Sequence, residues 1–360
     1  MRVAFVTVGD TGRRTGGYLY NARVIAGLRA RGFEVEEIVA GGVSVVEQES
    51  AARVLGARLK PSAFDVIVVD ALARVSVAPH LDRWRAECPV VAMVHELPSV
   101  AGGESVGGAA EDVIRERDYE EPLLRADGLI SVSDHGRRLL ASRNVSPGRI
   151  QIVPPGFDRL DPPATVKASG EEVRALCVAQ WIPRKGLLTL VDAWTRRWRP
   201  GAVLELVGET DADPEYAARV RDAIAAAPDT SIVVSGAVDD GTLSQAYAAA
   251  DLFVLPSVYE RYGMVYAEAL SFGLPVIACG VGPVPDLVGK EAAALVPPAD
   301  HGSLSEALGF LLEDPALRRR MSRAARRRAE DLPRWEDTVA VFEAVLRGAV
   351  RNAPRRMGPI

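Results

Sequence analysis

The chain reads as an α/β protein of two doubly wound parallel sheets, and three observations predict this. Short apolar runs rich in Val, Ile and Leu recur throughout the 360 residues, each the length of a buried strand and bounded by turn residues. Amphipathic helical stretches separate consecutive runs, a rhythm that needs crossover connections and therefore parallel pairing. Six runs precede and six follow a proline-rich stretch at 154–163, which divides the chain into two domains of ordinary size.

The elements follow in order. The first-half strand candidates are Val3–Val8, Glu34–Val39, Asp65–Val69, Val90–His95, Leu129–Val132 and Ile150–Val153. The first helical stretch, Tyr18–Arg31, is opened by Gly16-Gly17 and closed by Gly32, the residue that best tolerates a helix C-terminal turn. The second half repeats the rhythm with Ala175–Ala179, Val203–Val207, Ser231–Ser235, Leu252–Leu255, Val276–Cys279 and Ala294–Val296. Pro154-Pro155-Gly156 and Asp161-Pro162-Pro163 form the expected connection between the domains.

Composition excludes several classes. With 48% hydrophobic and 25% charged residues the chain is an ordinary globular protein, and a net charge of −5 argues against a general nucleic-acid binder. Cys88, Cys177 and Cys279 are far apart, fit no metal spacing and sit in or beside apolar runs, as buried free thiols in a reducing compartment would. The Val3–Val8 run is too short for a signal-peptide core, and no apolar stretch approaches the ~18 residues of a membrane span. A cytoplasmic, soluble protein is expected.

Ligands of doubly wound sheets bind beyond the carboxyl ends of the strands, and the chemistry-bearing residues gather there. The most informative stretch is Tyr259–Glu268, between the buried run Leu252–Leu255 and a helix that ends near Gly273. A strand, a loop and a helix N-terminus in that order direct free amides and a positive dipole end at whatever lies above the sheet. Glu260 precedes the helix, whereas Glu268 is embedded in it among apolar residues, where a carboxylate must reach solvent or find donors.

The two glutamates, seven residues apart with Gly263 between them, resemble the E-x7-E signature of retaining glycosyltransferases of family 4, the group 1 glycosyltransferases of GT-B fold. Thr15-Gly16-Gly17 with Arg31-Gly32-Phe33-Glu34-Val35 is similar to the family's glycine pair and first helix, and Arg125–Ser133 to its last strand before the hinge. Val153-Pro154-Pro155-Gly156-Phe157-Asp158 matches its hinge with Pro for Asn and Phe for Val, and Trp335 resembles the tryptophan before its C-terminal helix.

The resemblance implies two Rossmann-like domains facing an interdomain cleft: 1–155 on the acceptor side, 156–335 binding the nucleotide sugar, and a helix at 336–360 crossing back onto the first. It implies that Glu260 lies by the donor sugar, that Glu268 bonds the ribose, and that the amides of Gly263, Met264 and Val265 hold the diphosphate. Lys185 matches the diphosphate lysine, where fixed positive charge stabilises the departing oxygen; the alternative for Arg184-Lys185-Gly186 is a solvated basic turn. The family carries Gly-Arg at the end of the preceding strand, whereas this chain reads Val178-Ala179-Gln180-Trp181. Either Arg184 compensates, or diphosphate binding is weaker and Gln180 makes a neutral hydrogen bond. His95 matches the histidine near the reacting centre, and Gly16 and Gly17 let a phosphate or sugar approach the backbone closely.

Other motifs read more plainly. Gly280-Val281-Gly282-Pro283-Val284-Pro285-Asp286 resembles the family's glycine-rich loop with Asp for Glu, but fails as a dinucleotide fingerprint because Pro285 occupies the third glycine position. Asp211-Ala212-Asp213 has the form of a metal motif, yet its place before Pro214 and a helix favours capping. The arginines from Arg318 to Arg328 form a solvated face or, as the alternative, a peripheral membrane contact. Val100–Gly108 is a glycine-rich acceptor-side loop, and Arg13 and Arg14 are near the glycine pair.

The expectation is a retaining transferase that moves a sugar from a nucleotide-diphosphate sugar to an acceptor, with no metal and no cofactor. A non-catalytic nucleotide-sugar-binding partner of another transferase and a sugar-nucleotide epimerase of the same architecture remain open. A nicotinamide dehydrogenase is the weakest alternative.

Overall fold

The computed structural model describes residues 1–9, 15–42, 44–95, 97–100, 110–162, 172–228 and 231–353. It divides at Gly156/Phe157 and at Leu332/Pro333. One unit consists of Met1–Gly156 with Pro333–Ile360, and the other is Phe157–Leu332.

The first unit carries β1 (Arg2–Val8), β2 (Glu34–Ala40), β3 (Val66–Asp70), β4 (Val90–Val94), β5 (Gly128–Ser131) and β6 (Ile150–Ile152), in spatial order β2-β1-β3-β4-β5-β6. The second carries β7 (Val173–Val178), β8 (Ala202–Val207), β9 (Ile232–Gly236), β10 (Leu252–Leu255), β11 (Val276–Cys279) and β12 (Ala293–Val296), in order β12-β11-β10-β7-β8-β9. All pairings are parallel. Every run read from the sequence is a strand, with ends displaced by at most two residues. His95 falls just past β4 rather than inside it. The central strands β3, β4, β10 and β11 are buried throughout, which is why they read as unbroken apolar runs instead of alternating ones. The edge strand β9 starts one residue later than its sequence pattern suggests and leaves Val233 and Val234 exposed.

One device recurs at the strand starts. The Asp65 side chain accepts the amide of Arg2 at 2.7 Å, Asp127 that of Val90 at 2.9 Å, and Asp251 that of Arg174 at 2.8 Å. In each case an aspartate one residue ahead of a strand caps the beginning of its neighbour, satisfying a donor that the ladder cannot reach and helping to set the register.

In both sheets the chain winds outward in two directions from a central pair, so each has a switch point: between β1 and β3 in the first unit, and between β7 and β10 in the second. A crevice opens beyond the strand ends at such a point because the loops there diverge to opposite faces. Within the first unit, the last helix, Trp335–Asn352, packs along helix Gly16–Ala30. Its entry is anchored by Thr338, whose hydroxyl donates to the Pro154 carbonyl at 2.8 Å, and Gly156 leaves no room for a side chain against the Trp335 backbone. Among the described residues no helix is long and apolar enough to cross a membrane.

Candidate functional site

At the second unit's switch point, β7 is followed by a 3-10 turn, Pro183–Lys185, and β10 by the loop that leads to helix Met264–Ser271. Because β7 and β10 are neighbours, the two loops run side by side, and the Val258 amide donates to the Arg184 carbonyl at 2.9 Å. Gly186 then turns through φ 69° to start helix Leu187–Arg197, and a Cβ there would lie 2.3 Å from the Pro256 carbonyl oxygen. Only glycine permits both the conformation and the approach.

This arrangement brings Lys185 to Glu260. The Lys185 ammonium is 2.5 Å from Glu260 Oε1, the same oxygen that accepts the Ser257 hydroxyl at 2.7 Å, and Arg184 Nη1 is 4.0 Å from Oε2. The side chains of Lys185 and Glu260 are 12% and 5% exposed, so neither charge can rely on water. Burial raises the Glu260 carboxyl, but Lys185, Arg184 and Ser257 together outweigh it and hold the group below its ordinary value. For Lys185 burial dominates and the single carboxylate recovers only part, with Arg184 repelling, so the ammonium falls below its ordinary value.

Three residues past Glu260, Gly263 caps the helix at φ 93°. A Cβ there would meet the Tyr266 ring at 2.5 Å, and that ring is fixed by the hydroxyl's bond to the Leu255 carbonyl at 2.8 Å. The amides of Met264 and Val265 belong to the first turn, where no intrahelical carbonyl is available to them. The Lys185 ammonium and the amides that open this helix follow neighbouring strands at one end of the sheet, and both are groups that attract anionic oxygens.

Of the two outcomes open to it, solvent or donors, Glu268 takes the second: it is 2% exposed and held by donors. Arg159 Nε and Nη2 both donate to Oε1, at 3.0 and 2.7 Å, and the Tyr247 hydroxyl donates to Oε2 at 3.1 Å. Arg159 also reaches Asp240 at 2.8 Å. Burial pushes the Glu268 carboxyl up, and Arg159 and Tyr247 offset only part of that, so it stays above its ordinary value. The Gln180 amide donates to Glu209 Oε2 at 2.5 Å, so the position where the family pattern has arginine carries a neutral side chain bonded to a carboxylate.

In the first unit, Gly16 and Gly17 form the first turn of helix Gly16–Ala30 after β1, at that sheet's switch point. His95 follows β4, half-buried, and meets the Tyr20 ring edge-on at 5.2 Å, while the Tyr20 hydroxyl donates to the Val153 carbonyl at 2.9 Å. Arg13, Arg14 and the loop at 101–108 lie outside the described residues.

The plainer motifs resolve structurally. Asp213 accepts the Tyr216 amide at 3.0 Å as the N-cap of helix Pro214–Ala225. In helix Pro315–Glu330, Arg318, Arg326 and Arg328 bond backbone carbonyls, leaving Arg319, Arg320, Arg323 and Arg327 exposed. The residues that sequence reasoning missed are Arg159, Tyr247, Ser257 and Glu209. Only the demand of Glu268 for donors signalled that such partners must exist, and it did not say which.

Residues 162–328 match the profile of the glycosyl transferases group 1 family. An MMP alpha-(1->4)-mannosyltransferase of Mycolicibacterium hassiacum is 32% identical over 216 residues, covering 58% of this chain; the chain spans about half of that relative, 51%. Among solved structures, a sucrose-phosphate synthase of Thermosynechococcus elongatus superposes with a TM-score of 0.80 at 24% identity, over 96% of this chain and 98% of its own. Anabaena HepE in complex with UDP-glucose gives 0.76 at 18%, over 97% and 99%. At these identities the structures establish the fold, which is GT-B-like.

Proposed function

We propose, from the premise that this chain belongs to the glycosyl transferases group 1 family, that it moves a sugar from a nucleotide-diphosphate sugar to an acceptor with retention of anomeric configuration. The observation that carries the reading is the junction of Lys185, Glu260 and the glycine-opened helix N-terminus at the β7/β10 switch point. Cation and amides would bind the diphosphate and stabilise the charge that grows on the departing oxygen. Glu260 holds Lys185 in place and would lie by the donor sugar; Glu268 would take the ribose. In the first unit, His95, Gly16 and Gly17 would face the reacting groups.

In a front-face transfer the bond from anomeric carbon to phosphate oxygen breaks, the acceptor oxygen bonds the same face, and the departing phosphate takes the acceptor proton. His95 need not act as a base in that scheme. The donor search starts from uridine diphosphate sugars, because HepE was solved with UDP-glucose, and extends to mannose donors of other bases, because one relative is a mannosyltransferase.

The test is thermal unfolding of wild type and Glu268→Ala against nucleoside diphosphates and their sugars. A ligand at ~100 times its dissociation constant adds about 2.7 kcal/mol. A shift with one base, absent in Glu268→Ala, supports the donor site; no shift with any nucleotide refutes it. The Gln180–Glu209 bond favours one second reading, a non-catalytic nucleotide-sugar binder. That protein would show the thermal shift and release no nucleoside diphosphate with any acceptor.

A further inference from the structure

An ionised carboxylate offers about four good acceptor positions, two on each oxygen. In Glu268 three are in use. Arg159 directs both arms of its fork, Nε at 3.0 Å and Nη2 at 2.7 Å, at the single oxygen Oε1, and so fills it. Tyr247 takes one position on Oε2 at 3.1 Å, sharing its hydroxyl with the Val265 carbonyl at 3.2 Å. The fork cannot readily rotate toward a side-by-side pairing, because Arg159 Nη1 is tied to Asp240 at 2.8 Å and the arginine side chain is only 10% exposed. Tyr247 is pinned as well: its ring is buried and stacks with those of Phe253 and Phe272, at 6.0 and 5.2 Å.

We propose that Arg159 is a specificity-determining positioning residue, which leaves Glu268 one open acceptor position and makes this protein read a single ribose hydroxyl of its nucleotide. This rests on the donor-site reading above and sharpens it. A carboxylate with both oxygens open accepts a vicinal diol through two parallel hydrogen bonds. One with Oε1 saturated accepts one hydroxyl, and the other must look elsewhere or stay in water. Asp240 takes part by holding the arginine end-on, and Tyr247 by closing the second position on Oε2.

The experiment measures binding of UDP and GDP and of their 2′-deoxy and 3′-deoxy forms by titration calorimetry, using the full chain. In the wild type one deoxy form is expected to bind roughly tenfold or more weakly, the size of a lost hydrogen bond to a charged group, and the other within about twofold of the parent. Arg159→Met and Arg159→Lys, which remove the fork and keep the length, should narrow the difference between the two deoxy forms to within about threefold by reopening Oε1. If wild type binds the parent nucleotide but loses affinity equally for both deoxy forms, or for neither, the proposal is overturned while the donor site stands. An unchanged ratio in both Arg159 variants also overturns it, since a merely structural arginine would lower stability without altering the choice between hydroxyls. Failure of UDP and GDP to bind at all overturns the donor site itself, and this inference with it.

Discussion

Lys185→Met tests the electrostatic core of the site through stability alone. Glu260 would be left 5% exposed with Ser257 as its remaining close donor and Arg184 at 4.0 Å. Removing one partner of a buried pair costs about 3–5 kcal/mol, and the residual help from Arg184 and Ser257 places this case near 3. At roughly 2–4 °C per kcal/mol for a domain of this size, calorimetry at pH 7 should show melting lowered by about 6–12 °C. The pH dependence gives a second readout. In the wild type the Glu260 carboxyl is held below its ordinary value, so its stabilisation is present above about 4.3, the unfolded value, and is lost as pH falls through the lower folded one. In the variant burial prevails, the carboxyl rises and is neutral in mild acid, so the gap between the two proteins should close between neutral pH and about pH 4. Adding Glu260→Gln to Lys185→Met should recover much of the loss, which a double-mutant cycle would measure. A cost under about 1 kcal/mol at pH 7, the size of an exposed pair, would refute the reasoning.

Further outcomes follow from close approaches and burial. Gly263→Ala sets a Cβ 2.5 Å from the Tyr266 ring at φ 93°, and should cost about 1–3 kcal/mol in denaturant unfolding and weaken the nucleotide-induced thermal shift. A shift equal to wild type would separate this helix end from the ligand. Gly27→Ala would drive a Cβ to 2.4 Å from Val339, forcing the last helix away from the first, and should cost about 1–3 kcal/mol with nucleotide binding intact. Burial pushes the Cys177 thiol up to about 12 and Cys279 up to about 11, so both should resist a thiol reagent at pH 8 until denaturant unfolds the chain. Cys88, buried under the Phe64 carbonyl, should behave likewise, and prompt labelling of the native protein would contradict its burial.

Much of this architecture is local and was readable as such. A parallel strand covered on both faces must be apolar at every position, so β3, β4, β10 and β11 announced themselves without reference to the rest of the chain. Gly263 and Gly186 stood out only through the family resemblance; the structure supplies the physical reason, a left-handed turn at each helix start that favours glycine. The acidic pair 211–213 could be assigned to capping from its proline and helix alone, and Asp213 does cap. Strand ends drifted by a residue or two because they depend on the neighbour. His95 falls beyond β4 since β5, its partner, ends at Ser131 opposite Val94.

By itself, then, the sequence determined two wound parallel sheets and the loops beyond their strand ends, because these follow from periodicity, while the family resemblance picked out the glycines within those loops. Only tertiary structure decided how the charges pair. Lys185 and Glu260 are 75 positions apart and meet because β7 and β10 are adjacent, an outcome of strand order that no local pattern encodes. Arg159 reaches Glu268 across 109 positions, and Gln180 finds Glu209 across 29. A buried carboxylate demands donors wherever it lies, but which donors answer depends on what the fold brings within about 3 Å.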